Sequence, residues 1–249
     1  MLTGKLAVVT GGGSGIGRAI CQRLSNHGAK LIVADMNRNA AMDTVKMLKT
    51  ASDHSAFSCD VSKSDDVAKL FDFTLEQNKS PPHIVVNCAG ITRDSTLLKM
   101  SEKNFDDVVN VNLKGVYLVT QAFAKSAVSS NVPLSVVNVS SIVGKVGNFG
   151  QCNYAATKAA VVAFGKSAAK ELAAKAAKGV RVNTVMPGFI RTPMTAAMPE
   201  KVLASICAQI PMGRMGEPDD IADAVLFLSS DLSSYMTGAT IEVTGGLHM

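Results

Sequence analysis

Short, continuous apolar runs alternate with longer amphipathic stretches along nearly the whole chain of 249 residues. Apolar runs without polar alternation are typical of strands buried on both faces, and a helix between successive strands favours parallel pairing. The runs predict seven strands at Leu6–Val9, Leu31–Ala34, Ala56–Ser58, Ile84–Asn87, Ser135–Val139, Arg181–Val185 and Thr240–Val243. The stretches between them predict helices near Gly15–His27, Arg38–Thr50, Ser64–Gln77, Phe105–Ser130, Asn153–Lys178 and Asp219–Leu228. We therefore expect a doubly wound α/β fold with a seven-stranded parallel sheet and helices on both faces.

The composition is that of a globular protein with a sizeable core. Apolar residues make up 47% of the chain and charged residues 18%, which excludes a disordered polymer. The length suits one large domain, and the sequence shows no internal repeat, low-complexity segment or interdomain linker. We expect a single domain over residues 1–249.

Charge and the rarer residue types argue against several classes of function. The net charge of +5 comes from scattered basic residues and aromatic residues make up only 5%, so no nucleic-acid partner is expected. The four histidines lack the spacing of metal ligands, and the five cysteines form no CxxC pair. We expect no metal site, and free thiols in a reducing compartment. No apolar stretch is long enough for a membrane span. Because the first predicted strand begins at Leu6, we expect no cleavable presequence.

A glycine-rich turn, Thr10–Gly17, joins the first predicted strand to the first helix. In a dinucleotide-binding turn, Gly11 permits the tight bend, Gly15 lets the backbone approach a pyrophosphate, and Gly17 lets the helix pack close to the strand. The helix start, with Ser14 and Ile16, offers N–H groups and a positive dipole end to the phosphates. The position of the turn between strand and helix favours dinucleotide binding and a Rossmann-type fold over a merely structural turn.

An acidic residue ends the second predicted strand. Asp35 follows Gly15 by 20 residues, where a carboxylate accepts hydrogen bonds from the adenosine ribose and repels a 2′-phosphate. NAD(H) is therefore favoured over NADP(H), with nearby Arg38 as the one residue against it. The alternative is that Asp35 only caps the next helix. Asp60–Val61, at the end of the third strand, is placed to reach the adenine.

Tyr154 and Lys158 stand four residues apart in the predicted helix Asn153–Lys178 and so share one face of it. A phenol with an ordinary pKa near ~10 is a poor acid or base at neutral pH. A neighbouring ammonium favours the phenolate, which is the match to working pH that a proton-transfer catalyst needs. We expect Lys158 to lower the pKa of Tyr154. The alternative is a packed tyrosine beside a solvated lysine.

A long stretch without a predicted strand, Pro187–Pro218, contains five prolines and four methionines. Such an insertion in a compact domain is often a lid, and methionines, here including Met194, adapt to irregular apolar ligands. We predict a substrate lid over residues 187–218. The open alternative is that the methionines cover a subunit or core surface.

Taken together, these motifs resemble the short-chain dehydrogenase/reductase family. The matching pieces span most of the chain in the family's order and are Thr10–Gly17, Asp60–Val61, Asn87–Gly90, Asn112, Ser141, Tyr154–Lys158 and Pro187–Gly188. The resemblance implies that residues 1–90 mainly bind the dinucleotide and residues 105–192 carry the catalytic groups. Cys88 stands where the family more usually has asparagine.

The resemblance also implies roles for individual residues. Tyr154 exchanges a proton with the substrate oxygen, Ser141 donates a hydrogen bond to that oxygen, Lys158 also holds the nicotinamide ribose, and Asn112 holds a water that links Lys158 to solvent. The residues implied in cofactor binding, beside the glycine turn, are Asn87, Ala89, Gly90, Tyr154, Lys158, Pro187, Gly188, Ile190 and Thr192. Asn148 and Gln151 are expected to face the substrate, together with Met194.

Within the family, the chain is similar to 17-beta-hydroxysteroid dehydrogenases and to bacterial-type 3-oxoacyl-carrier-protein reductases. This implies an NAD-linked enzyme of 3-hydroxyacyl and 3-oxoacyl thioesters, in fatty-acid metabolism, with activity on estradiol-like steroids. Primary activity on estradiol and a non-enzymatic, NAD-binding subunit are the alternatives. A homotetramer, or a heterotetramer with a carbonyl reductase type 4-like subunit, is implied, in the mitochondrial matrix or alternatively the cytoplasm. Asn131–Pro133 lacks the arginine expected of a subunit that docks a carrier protein, which favours coenzyme A esters.

Overall fold

The computed structural model describes residues 1–175, 179–196 and 200–248. Within these ranges the strands are β1 (Leu6–Thr10), β2 (Lys30–Asp35), β3 (Ser55–Ser58), β4 (Ile84–Asn87), β5 (Leu134–Val139), β6 (Val180–Pro187) and β7 (Thr240–Val243). They form one sheet in the order β3-β2-β1-β4-β5-β6-β7, and every pair is parallel. The doubly wound α/β fold predicted from the alternation of strands and helices is confirmed.

Helices connect the strands and cover both faces of the sheet. They are α1 (Gly15–Asn26), α2 (Arg38–Met47), α3 (Ser64–Asn78), α4 (Glu102–Val109), α5 (Gly115–Ser129), α6 (Val143–Val146), α7 (Cys152–Ala173), α8 (Pro193–Ala196), α9 (Glu200–Gln209) and α10 (Pro218–Ser229). In the described part of the chain, no helix combines the length and the apolar character that crossing a bilayer requires.

The core has two layers, because successive strand residues point to opposite faces of the sheet. On β1, Val9 packs with Ile20 of α1 and Val225 of α10 in one apolar cluster. The adjacent Val8 packs in the other cluster, with Phe123 of α5 and with residues of α3 and α7. Burial on both faces is the reason why the central strands are almost continuously apolar, whereas the edge strands β3 and β7 are only partly buried.

The strand order reverses at β1, which lies between β2 and β4. The chain leaves β1 and β4 in opposite directions across the sheet, so a crevice opens between the loops that follow these two strands. In doubly wound sheets this is where ligands bind. The crevice lies between the glycine turn after Thr10 and the segment after Asn87.

One predicted helix is wrong in detail. Instead of a single helix over Phe105–Ser130, α4 and α5 flank a π-helical turn at Asn110–Lys114. Apolar periodicity does not reveal one extra residue in a turn, because the same face stays buried on both sides of it. The predicted helix Asn153–Lys178 begins at Cys152 and is helical to Ala173, and residues 176–178 lie outside the described part of the chain.

The segment predicted as a lid, residues 187–218, contains the two helices α8 and α9. A single parallel bridge joins Ile190 to Gly216, and the N–H of Met212 donates to Gly245 O at 3.1 Å. The bridge joins the two ends of the stretch to each other, and the Met212 contact attaches the stretch to the segment after β7. Met198 and Pro199, which belong to the predicted lid, lie outside the described residues.

Candidate active site

The turn between β1 and α1 is so tight that only glycine fits at two of its positions. Gly11 has a φ of +67°, and a Cβ there would lie 2.7 Å from the Cα of Ala89. A Cβ on Gly17 would overlap the carbonyl oxygen of Gly11. The turn therefore packs backbone against backbone, both on the loop after β4 and on the start of α1. Because the backbone packs this closely, a concave surface remains above the turn.

That surface belongs to a cavity of about 820 Å³ at the carboxyl ends of the strands. A volume of this size is typical of sites for cofactors and small substrates. The predicted site residues that line it are Gly11, Ser14, Gly15, Ile16, Gly17, Asp35, Asp60, Val61, Ala89, Gly90, Ser141, Asn148, Gln151, Tyr154, Lys158, Pro187, Gly188, Ile190 and Thr192. The structure thus brings the glycine turn and the predicted reaction centre together in one cavity.

The start of α1 faces this cavity. Ser14 is the N-cap residue, and its side chain makes no capping hydrogen bond. Gly15 has a φ of +48°, and the nearest side-chain atoms to a Cβ there, at 3.6 Å, belong to Thr192. The first turn of a helix carries N–H groups without partners in the helix, together with the positive end of its dipole. The arrangement is suited to an anionic group such as a pyrophosphate.

Asp35 ends β2 with both carboxylate oxygens held by backbone N–H groups. Gly13 N donates to one oxygen and Asn37 N to the other, each at 2.9 Å. The cap of α2 is Asn37, whose side chain accepts from Ala40 N at 3.1 Å. Asp35 is therefore not merely the cap of the next helix. Its fixed carboxylate lines the cavity, whereas Arg38 is exposed.

Asp60 lies just beyond β3 at the lining of the cavity. Burial opposes its ionisation, but hydrogen bonds from Ser62 and the nearby charge of Lys63 outweigh that effect and hold the pKa of Asp60 below its usual value. The carboxylate is thus a charged acceptor, and the adjacent Val61 adds an apolar surface. This pair suits the polar edge and the flat face of a purine.

The side chain of Asn87 lies in the interior and not at the cavity. Its Nδ2 donates to Thr120 Oγ1 at 2.9 Å and to Asn138 Oδ1 at 2.8 Å. The role of Asn87 in cofactor binding stays a prediction, and its side chain links β4, β5 and α5. The reason is the register, because Asn87 is still in β4, directly opposite Asn138 of β5. The motif reaches the cavity through Ala89 and Gly90.

Ser141, Tyr154 and Lys158 meet in the cavity from two elements. Ser141 follows β5, and Tyr154 and Lys158 stand one turn apart in α7. The Nζ of Lys158 lies 5.5 Å from the centroid of the Tyr154 ring and donates to Val139 O at 2.8 Å. Lys158 is only 5% exposed, so it is not the solvated lysine of the alternative interpretation. An aromatic hydroxyl, a serine hydroxyl and an ammonium therefore share one small volume.

Burial dominates the proton affinities at this centre. It raises the pKa of Tyr154 to about 12; a hydrogen bond with Ser141 opposes the rise, and the charges of Cys88 and Asp94 add to it. Burial also lowers the pKa of Lys158 to about 8. The expected lowering of the Tyr154 pKa is corrected: desolvation of the phenolate outweighs the hydrogen bond with Ser141 that favours it. At neutral pH the protein therefore holds Tyr154 protonated.

The side chain of Asn112 is fully engaged with the loop after β4. Its Oδ1 accepts from Ile91 N at 2.8 Å, and its Nδ2 donates to Ile91 O at 3.0 Å. A Cβ on Gly90 would lie 3.4 Å from Asn112 Oδ1 and 3.6 Å from Lys158 Nζ. Asn112 therefore sits in the π-helical turn and fixes the loop against Lys158. Its place in a proton path to solvent remains a prediction.

The loop after β6 forms another wall of the cavity. Gly188 packs against Thr244, and a Cβ on it would lie 2.8 Å from the Cα of that residue. The N–H of Thr192 and the carbonyl of Ile190 both bond to the hydroxyl of Thr195, at 2.9 Å each. The hydroxyl of Thr195 thus fixes the two residues predicted to contact a carboxamide. The side chain of Met194 lies outside what the structure describes.

Two loops join beside Tyr154 to form the remaining wall. Gln151 Nε2 donates to both carboxylate oxygens of Asp94, at 3.1 and 3.0 Å, and Gln151 Oε1 accepts from Asn148 at 2.8 Å. Ser95 N donates to Gly150 O at 2.8 Å. Asn148 and Gln151 line the cavity as predicted substrate residues, but the contacts that hold them were not foreseen.

Arg93, Asp94 and Thr195 line the cavity and were missed in the sequence. Arg93 and Asp94 lie in the loop after β4 and Thr195 lies in α8 after β6, and a position beyond a strand that ends at the cavity was the only available signal. Thr195 bonds to nearby Ile190 and Thr192. The partners of Arg93 and Asp94 come from distant parts of the chain; for example, Asn153 Nδ2 donates to Arg93 O at 3.0 Å. Contacts of this kind have no local sequence pattern.

Comparison with known proteins agrees with this site. A family model described as enoyl-(acyl carrier protein) reductase matches residues 11–248, and the chain belongs to this branch of the short-chain dehydrogenase/reductase family. It is an oxidoreductase acting on CH–OH groups, in a family that typically depends on nicotinamide cofactors.

Similar proteins cover the full length of the chain. A (3R)-3-hydroxyacyl-CoA dehydrogenase of Canis lupus familiaris is 51% identical over an alignment of 256 residues that covers 100% of this chain and 98% of that protein. An acetoacetyl-CoA reductase of Allochromatium vinosum is 43% identical over an alignment that covers 98% of this chain and 99% of that protein. A 3-oxoacyl-(acyl-carrier-protein) reductase of Thermotoga maritima is 42% identical over an alignment that covers 99% of this chain and 98% of that protein.

Proposed function

We propose that this protein is an NAD(H)-dependent oxidoreductase that interconverts (3R)-3-hydroxyacyl and 3-oxoacyl thioesters and also accepts 17β-hydroxysteroids such as estradiol. The observation that carries the proposal is the single cavity in which Ser141, Tyr154 and Lys158 lie beside the glycine turn and the carboxylate of Asp35. The similar proteins named as dehydrogenases and reductases of acyl thioesters support the substrate class.

The residues present fit a dinucleotide. A Cβ at Gly11 or Gly17 would collide with backbone, so the turn is shaped for close approach, and the start of α1 offers N–H groups to the phosphates. Asp35 would hold the adenosine ribose and repel a 2′-phosphate, which is the support for NAD(H) over NADP(H). When bound, the nicotinamide supplies the hydride acceptor in oxidation and the hydride donor in reduction.

The side chains handle the proton and the charge on the substrate oxygen. In the reductive direction, Tyr154 gives its proton to the carbonyl oxygen, and its raised pKa keeps that proton available at neutral pH. In the oxidative direction, the phenolate takes the proton of the hydroxyl. Ser141 donates a hydrogen bond to the same oxygen, where charge develops during the reaction. Lys158 would hold the nicotinamide ribose, and its ammonium would favour the phenolate.

The choice between acyl thioester and steroid depends on the far wall of the cavity. Phe189, Ile142 and Val143 line it with apolar groups, which suit an acyl chain and a steroid equally. A paired assay of NADH production from (3R)-3-hydroxyacyl-CoA and from estradiol tests the order. We expect the higher kcat/KM with the thioester. A much higher kcat/KM with estradiol would make the steroid the primary substrate.

We further propose a homotetramer, or a heterotetramer with a carbonyl reductase type 4-like subunit, in the mitochondrial matrix. Large exposed apolar side chains support an assembly; Tyr117 of α5 is 41% exposed, and Leu98, between β4 and α4, is 98% exposed. Light scattering on the purified chain, alone and mixed with such a subunit, tests the assembly. A monomer under both conditions would refute it. Fluorescence imaging of the tagged chain in cells distinguishes the matrix from the cytoplasm.

A further inference from the structure

The charges that line the cavity are distributed unevenly. Among the described residues, its cations are Lys158, buried at the reaction centre, and Arg93, exposed at the mouth. The acidic residues in the same lining are Asp35, Asp60, Asp94 and Asp107. Arg93 is therefore the single exposed cation that the described lining offers to an anionic part of a ligand.

The guanidinium of Arg93 has no acidic partner among the ion pairs of the described residues, and its one hydrogen bond there is to the carbonyl of its neighbour Thr92, at 3.1 Å. Arginines elsewhere around the lid are neutralised. Arg191 pairs with Glu217 at 3.1 Å, and Arg214 pairs with Asp220 at 3.0 Å. The carboxylate of Asp94, the next residue in the sequence, accepts hydrogen bonds from Gln151 Nε2.

The backbone that carries Arg93 is fixed to the reaction centre. Asn153 Nδ2 donates to Arg93 O at 3.0 Å, and Asn153 Oδ1 accepts from Tyr154 N at 2.8 Å. One buried amide thus links Arg93 to the tyrosine that exchanges the proton. The wall of the cavity that adjoins Tyr154 therefore includes the exposed Arg93.

We propose that Arg93 binds a phosphate of the coenzyme A portion of the thioester substrate. This inference rests on the proposed function and names the part of the substrate that its exposed end would recognise. A planar guanidinium with several free donors suits a phosphate, and the contact is charge-assisted. The acyl group and the sulfur would remain inside, with Ser141 and Tyr154, while the phosphates stay at the mouth.

The test compares two substrates with the same acyl group. One is (3R)-3-hydroxybutyryl-CoA, and the other is its N-acetylcysteamine thioester, which has the reacting carbons and the thioester but no phosphate. Arg93→Glu should raise the KM for the CoA ester by about tenfold or more, the value of one charge-assisted contact, and leave the KM for the truncated ester unchanged. Arg93→Gln should show the same selectivity with a smaller rise.

Lys125→Glu is the matched control, because Lys125 is exposed on α5 and does not line the cavity. It makes the same change of charge and should leave both KM values unchanged. Added salt should raise the wild-type KM for the CoA ester and have little effect on the Arg93→Glu enzyme, because an exposed ion pair is screened.

The outcomes separate the two proposals. Equal KM changes for both esters, no change for either, or a raised KM for NAD with both would overturn the phosphate contact. The proposed function would still stand in those cases, because the wild type turns over both esters. A wild type that oxidises neither ester refutes the proposed function, and the assignment of Arg93 with it.

Discussion

The nucleotide side and the substrate side of the cavity are built in different ways. On the nucleotide side, backbone meets backbone: Gly11 lies against Ala89, and Gly17 lies against Gly11. On the substrate side, side chains bridge separate loops, as Gln151 does to Asp94. Packed backbone cannot yield to an added atom, whereas a bridge of exposed side chains can be exchanged. Residues on the substrate side can therefore be substituted with less effect on coenzyme binding than residues of the glycine turn.

Tyr154, where the two sides meet, should be the most sensitive position. Tyr154→Phe removes the proton that is exchanged and keeps the ring, so kcat should fall by about 10³-fold. Coenzyme affinity, measured by the fluorescence of bound NADH, should change little. Tyr117→Phe on α5 is the control and should leave kcat unchanged. Unaltered turnover in Tyr154→Phe would remove the tyrosine from the reaction.

Gly17→Ala should damage the nucleotide side. Its Cβ would overlap Gly11 O, and overpacking of this kind costs about 1–3 kcal/mol. If that cost falls on coenzyme binding, the Kd for NADH should rise by roughly five- to 150-fold. The comparison is Gly147→Ala on the substrate side, where φ is +77° but no atom lies within 4 Å of a Cβ. That variant should lose about 1 kcal/mol of unfolding free energy and keep its coenzyme affinity. Similar Kd values in both variants would contradict the contrast between the two sides.

The pH dependence should differ between the two directions of the reaction. Because the pKa of Tyr154 is raised to about 12, the phenolate needed for oxidation increases about tenfold per pH unit through the neutral range. Oxidative kcat/KM should therefore rise with pH, with a second influence where Lys158 loses its charge near its pKa of about 8. Reduction uses the protonated phenol and should not rise. An oxidative profile that is flat from about pH 6 to about pH 9 would show that this proton is not limiting.

Asp35→Ala should relax the coenzyme preference, with a change of about tenfold or less in the ratio of Kd values for NADP and NAD. The substitution also frees the N–H groups of Gly13 and Asn37, so Asp35→Asn is needed beside it. Asparagine removes the charge but keeps one acceptor. If repulsion of a 2′-phosphate sets the preference, both variants should relax it. An unchanged ratio in both would remove Asp35 from this role.

Much of the fold could be predicted from local pattern. The predicted strands β1 to β7 lie within two residues of the observed ones. For the central strands the reason is that continuous apolar runs mark strands buried on both faces. The pairing of Tyr154 with Lys158 followed from helix periodicity alone. The π-helical turn at Asn110–Lys114 was not predictable, because it shifts backbone bonds without changing which side chains are buried.

Chain spacing alone thus specified the parallel sheet, the glycine turn and the helix face that carries the tyrosine and the lysine, since each depends on residues close in sequence. Tertiary packing decided the proton affinities of Tyr154 and Lys158, the inward turn of Asn87, and the position of Arg93 at the cavity mouth. The reason is that desolvation and hydrogen bonding are set by whatever surrounds a group. Those neighbours come from strands and helices far apart along the chain.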